Sequence, residues 1–184
     1  MPVDRPKPIV AKTICGMLSL VCSLAAWPLA AADQFTADKP SPLRLARAPR
    51  GEDAVVRFSG TVRIGGRFVA AWEGLDRKPR YLRVTFRPDN IATALLPHPT
   101  GAGAVKELML TNNEQAATML LGPEAAGKIL AKTILSAEGD ATVTIGDYHT
   151  VVECDHRWYM ARLVAVTASR DIVVAAGESQ RPGC

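Results

Sequence analysis

Two runs of apolar/polar alternation, two glycine-bearing dipeptides between apolar runs, and one helix between the third and fourth main strands predict a mainly β (α+β) fold. That order fits a small antiparallel OB-like barrel with one short helix, following a signal peptide and a flexible leader. A curved open sheet with the helix across one face is the alternative. The chain has 184 residues, enough for one buried core, and its 48% hydrophobic content with a net charge of +4 argues against wholesale disorder. The same figures exclude a large multidomain enzyme, a coiled coil and a collagen-like fibre.

Residues 1–32 read as a secretory signal: Arg5, Lys7 and Lys12 precede an apolar stretch from Ile14 to Trp27, Pro28 breaks it, and Ala30-Ala31-Ala32 offers small residues for cleavage after Ala32. The stretch is shorter than the ~20 residues of a spanning helix, which favours cleavage over the alternative, a retained anchor. The expected address is therefore exported, periplasmic or secreted, with no transmembrane anchor after cleavage. Cleavage would remove three basic residues and Asp4, lowering the net charge from +4 to +2, and would also remove Cys15 and Cys22. Cys154 and Cys184 then remain, and in an exported chain they are expected to form one disulfide rather than two free thiols. Closing that loop of about 30 residues is worth roughly 3–4 kcal/mol in the chain-entropy model.

Residues 33–53, with Pro40, Pro42 and Pro49 among charges, carry no helical or strand period and read as a flexible leader. The β-rich domain is expected over 54–167 and a C-terminal tail over 168–184. In AVVRFSGTVRI (54–64), Val56, Phe58, Val62 and Ile64 fall on one face. Gly65-Gly66 then reads as a hairpin turn before Arg67–Trp72. A turn-rich stretch from Gly74 to Pro79 leads to a second alternation, with Tyr81, Arg83, Thr85 and Arg87 opposite Leu82, Val84 and Phe86. Pro88-Asp89-Asn90 ends that strand, 97–104 is a loop, and Val105–Leu110 holds a short strand. Asn112 is the expected N-cap of the helix, which stops at Gly122-Pro123. Strands follow over 128–136, 141–145, 148–154 and 158–167, with Gly146-Asp147 as a second hairpin turn.

Short motifs add a resemblance. Gly60-Thr61, Val105-Lys106-Glu107-Leu108, Gly127-Lys128-Ile129-Leu130 and Gly146-Asp147-Tyr148-His149-Thr150-Val151 follow one another across about residues 54–166. In this order the chain resembles a family of small exported bacterial OB-like domains of unknown function, whose pattern is G-K-x-V-x-V-x-G-T-L followed by G-H-H-x-T-x-V. It departs from that pattern at Lys132, where a glycine is expected, and at Asp147-Tyr148 before the histidine. The resemblance implies an exported OB-like barrel and no particular activity.

The chemistry-bearing residues leave three functional readings open. Residues 33–90 hold 12 basic and 7 acidic side chains, whereas 91–184 hold 7 and 10. Within the basic half, Arg57, Arg63, Arg83 and Arg87 with Tyr81 would share one outer face if their strands pair, a surface for stacking and ion pairing. The leading reading is a non-enzymatic binding module for an anionic glycan, a lipid headgroup or an envelope protein; an exported address argues against nucleic acid as the target. A solvated polar face is the plainer alternative. The second reading is a small hydrolase or metal-dependent enzyme using His149, Glu153 and His156, with Cys154 as a further possible ligand. No zinc spacing, nucleophile elbow or phosphate loop supports it, so no catalytic residue, metal or cofactor is assigned. The third is an envelope structural or assembly factor.

Overall fold

The computed structural model describes residues 35–47, 55–74, 81–154 and 156–175. The signal segment, Cys15, Cys22 and Cys184 lie outside them. In chain order, β1 (Phe35–Thr36) and β2 (Arg44–Arg47) precede β3 (Val56–Ser59), β4 (Thr61–Glu73) and β5 (Tyr81–Pro88). The one-turn helix α1 (Asn90–Thr93), β6 (His98–Pro99) and β7 (Leu108–Leu110) follow. Then come α2 (Asn113–Leu130), β8 (Ser136–Glu153) and β9 (His156–Ala175).

Five strands in the order β8–β4–β5–β7–β9 close on themselves because β9 also pairs with β8. With α2 inserted between the third and fourth of them, this is an OB-type barrel. One feature differs from an all-antiparallel sheet: β7 and β9 run parallel, with Met109 opposite Met160. A three-residue strand cannot announce that long-range partner from its own pattern.

Alternation sends Ile64, Phe68, Val84, Phe86, Val143, Ile145 and Leu163 into the interior, each at most 2% exposed. Leu120, Leu121 and Ile129 of α2 pack on this core where β4 ends, and the Trp72 indole N–H donates to Ile129 O at 2.6 Å. At the opposite end Tyr148 is fully buried, its ring 5.3 Å from Phe58.

Several local expectations change. Gly65-Gly66 is not a turn, because β4 runs straight through it and pairs with both β5 and β8. The bend falls at Gly60 (φ +99°), which joins β3 to β4 where an added Cβ would meet Pro42 O at 2.8 Å. Gly146-Asp147 likewise lies inside β8, at a register irregularity before His149. The true hairpin turn between β8 and β9 follows Glu153. Helical geometry breaks at Gly122 (φ +73°, ψ 170°) as expected, but Pro123 opens a second helical segment that consumes 128–130, so β8 begins only at Ser136.

Residues 35–47 of the expected flexible leader hold two strands. Phe35 pairs with Pro99, Leu45 with Phe58, and Leu43 is 4% exposed in the core. The tail also forms strand as far as Ala175. Cys154 is exposed and free among the described residues, so the expected bridge to Cys184, which lies outside them, is not seen.

Tyr148 gives a test of this packing. Its hydroxyl donates to Pro97 O at 2.6 Å, and burial pushes its ionisation well above the usual phenol range. The folded chain thus holds this proton more tightly than the unfolded chain, whose phenol titrates near ~10. The contribution is full below that pH and is lost as pH rises toward the folded value. Tyr148→Phe should cost about 1–3 kcal/mol at neutral pH by orphaning the carbonyl, and should flatten the alkaline loss. Denaturant titrations at pH 7 and pH 11 read both effects; an unchanged slope above pH 10 would contradict the assignment.

Candidate functional site

The predicted arginine face is divided by the barrel. Tyr81, Arg83 and Arg87 do project outward from β5. Arg83 pairs with Glu73 at 3.0 Å, Tyr81 OH donates to the same carboxylate at 3.2 Å, and the Arg83 guanidinium lies 5.6 Å from the Tyr81 ring centroid. Arg87 pairs with Glu107 at 3.1 Å. Arg57 and Arg63 are exposed but stand elsewhere, Arg57 opposite His149 and Arg63 opposite Thr144 of β8. The last β4–β5 pair is Gly66 with Pro88, so Arg63 has no β5 neighbour. Four strand residues, roughly 13 Å, separate it from Arg67.

What the fold assembles instead is one row across four strands. Arg87 of β5 faces Arg67 of β4, Arg67 faces Asp140 of β8, and Asp140 faces Arg170 of β9. These side chains line a cleft of about 530 Å³ whose other walls include Asp89, and whose small residues are Gly65, Gly66, Ala141, Thr142 and Ala168. The glycines are needed for close approach. A Cβ on Gly66 would lie 2.2 Å from Arg87 O, and one on Gly65 would lie 2.7 Å from Asp89 Oδ2. Asp89 is held there by capping α1, its Oδ1 accepting from the Ile91 and Ala92 amides, while its own N–H donates to Gly65 O at 2.9 Å.

Like charges directly opposite each other destabilise a sheet, and here each is balanced from outside the row. Arg67 meets Glu138 at 2.6 Å and Arg87 meets Glu107 at 3.1 Å. The side chains of these pairs are 54% and 41%, and 59% and 33%, exposed, so each bridge is worth about 1 kcal/mol or less and its guanidinium can be given up to a ligand. Beyond the Arg87–Glu107 bridge lies a smaller pocket of about 280 Å³, lined by Glu107, Lys106, Met109, His156 and Trp158 among others. The His156 and Trp158 rings meet edge-on there, 4.3 Å between centroids. Arg157 also lines it, donating to Thr150 Oγ1 at 3.1 Å. Guanidinium groups and an aromatic platform thus adjoin around the outside of the barrel.

Sequence reasoning picked out Arg87 but passed over Arg67, Asp140 and Arg170. For Arg67 the signal existed: reading 61–73 as one strand places Arg63, Gly65, Arg67 and Val69 on a single face. Arg170 becomes a neighbour only through the β8–β9 register, which slips at four places.

The histidine cluster does not converge. Glu153 faces His156, but His149 faces Met160, about 13 Å along β8 from Glu153 by strand rise. The His149 ring is engaged through Nδ1 with Asp147 O at 2.8 Å. Among the described residues no group of three His, Cys, Asp or Glu side chains is placed to hold a metal ion. No helix among them is long and apolar enough to cross a membrane.

No family model matches this chain, and no curated protein or solved structure matches it either.

Proposed function

We propose that the protein is an exported, non-enzymatic binding module that holds an anionic component of the cell envelope in the arginine cleft of its barrel. The observation that carries this reading is the row Arg87–Arg67–Asp140–Arg170 over a floor of glycine, alanine and threonine. Planar guanidinium groups on a low floor suit bidentate pairing with a phosphate, sulfate or uronate, and the exposed bridges to Glu138 and Glu107 are weak competitors. Asp89 and Asp140 would accept from hydroxyls beside the anionic group and would repel a ligand of uniform high charge. Lys106 and Trp158 in the adjoining pocket supply a further charge and a stacking face. The signal-like N-terminus and the resemblance to small exported domains support the address.

The test is a titration with oligogalacturonate and with vesicles containing anionic lipid. Binding should weaken at least about tenfold between roughly 50 and 500 mM salt, since exposed charges are screened over a Debye length. Arg67→Ala and Arg87→Ala should each cost about tenfold, the scale of one charge-assisted hydrogen bond. Affinity that ignores both salt and these substitutions would remove the reading.

A further inference from the structure

A third cleft, of about 580 Å³, opens where β4 ends and β5 begins, beside the start of α2. Its lining differs in kind from the arginine cleft. Trp72 and Tyr81 supply two aromatic rings, Asn112, Asn113 and Gln115 supply amides, and Glu114 is the one charged side chain.

The hydrogen bonds around it fix which way the amides face. The backbone N–H of Val84 can be answered only by an oxygen, so Asn113 Oδ1 is committed to it at 2.7 Å. Asn112 is clamped on Leu163, its Oδ1 accepting from Leu163 N at 2.9 Å and its Nδ2 donating to Leu163 O at 2.9 Å. That same Nδ2 donates to Gln115 Oε1 at 3.0 Å, which commits the Gln115 oxygen. Asn113 Nδ2 and Gln115 Nε2 are therefore left as donors, with no protein acceptor among the described residues. Both belong to side chains that line the cleft. The rings are positioned as firmly: the Trp72 indole is tied to Ile129 O and carries the Lys132 ammonium 4.3 Å from its ring centroid, and Tyr81 is tied to Glu73 and lies against Arg83. Tyr81 is 49% exposed.

We propose that this cleft is a second binding site, for an uncharged saccharide. Sugar rings present apolar C–H faces to aromatic side chains and a rim of hydroxyl or N-acetyl oxygens to amide donors. Asn113 and Gln115 donate to those oxygens, and Glu114 accepts from a ring hydroxyl. The lining itself holds one carboxylate and no Lys or Arg, and the flanking cations are engaged, Lys132 on the Trp72 ring and Arg83 with Glu73 and the Tyr81 ring; this sets the ligand apart from the anionic one, so the inference stands without the arginine cleft. The backbone dipole of α2 is not needed for it.

The experiment is calorimetric titration of the exported chain with cellohexaose and with the β-1,4 hexamer of N-acetylglucosamine. A parallel record of tryptophan emission in a Trp27→Phe, Trp158→Phe background isolates Trp72. Saturable binding of either sugar with a change in Trp72 emission is expected. Tyr81→Ala and Gln115→Ala, both at exposed positions, should each weaken it about fivefold or more, whereas Arg67→Ala should leave it unchanged. Absence of saturation with both sugars at about 10 mM would overturn the proposal. Binding that survives both Tyr81→Ala and Gln115→Ala at full affinity would overturn it equally.

Discussion

Gly66→Ala should destabilise the barrel by at least about 3 kcal/mol, one of the largest effects available from adding a single methyl group. The reason is geometric. Gly66 stands opposite Pro88 at the seam where β4 leaves β5, and a Cβ there would meet Arg87 O at 2.2 Å and Pro88 Cα at 2.9 Å. Both are backbone atoms, which cannot rotate away as a side chain can. The Phe86 ring at 2.9 Å closes the remaining direction. Relief requires opening the β4–β5 seam beneath the arginine row, so the variant should lose thermal stability by about 10 °C for a domain of this size. Gly103, with nothing near its added Cβ, is the control, and Gly103→Ala should change little. Thermal unfolding of the two variants side by side decides the matter; equal stability would mean that the seam is not packed as described.

Asn112→Asp makes the second large effect, and it separates two accounts of one residue. As a helix N-cap, the position would accept aspartate readily, since an anion at a helix start is favourable. The structure gives Asn112 a different task. Its side chain makes no capping bond; it reaches β9 and mimics a strand partner, with Oδ1 on Leu163 N and Nδ2 on Leu163 O. Aspartate keeps the first bond but sets an oxygen against the Leu163 carbonyl. It also releases Gln115. A loss of about 2 kcal/mol is expected, on the scale of an orphaned carbonyl in a partly buried setting. A neutral or stabilising result in denaturant unfolding would restore the capping account.

These two residues also show where the sequence was readable. The alternation in Tyr81–Arg87 required only local period-two patterning, and that strand lies where the patterning puts it; Val56–Ile64 buries the face its alternation predicts, but as two strands that bend at Gly60. The helix after Asn112 and its break at Gly122 were equally local. Glycine pairs were ambiguous because two different needs select them. A turn selects glycine for positive φ, while a crowded strand selects it for the missing Cβ, as Arg87 O requires at Gly66. Only the partner strand distinguishes the cases, and that partner is distant in sequence. Short strands such as Phe35–Thr36 carry too few residues for a period, so their pairing with His98–Pro99 left no trace.

The site was legible only in part for the same reason. Arg83, Arg87 and Tyr81 share a face because they share a strand, which spacing alone reveals. Grouping Arg57 and Arg63 with them requires that like-faced residues of paired strands be neighbours. The pairing register breaks that premise, since β5 stops at the level of Gly66 and leaves Arg63 beside β8. Arg170 enters the cleft through a 20-residue strand whose register against β8 slips repeatedly, a quantity no composition or period encodes.

On the proposed function, Arg67, Arg87 and Arg170 together form the anion site. It is tested by a nuclear magnetic resonance titration of the 15N-labelled protein with oligogalacturonate, following the arginine Nε–Hε signals. Saturable shifts confined to Arg67, Arg87 and Arg170 are expected, with Arg57 and Arg63 unmoved, and reversal on adding salt. Shifts centred on Arg57 and Arg63, or none at saturating ligand, would contradict it.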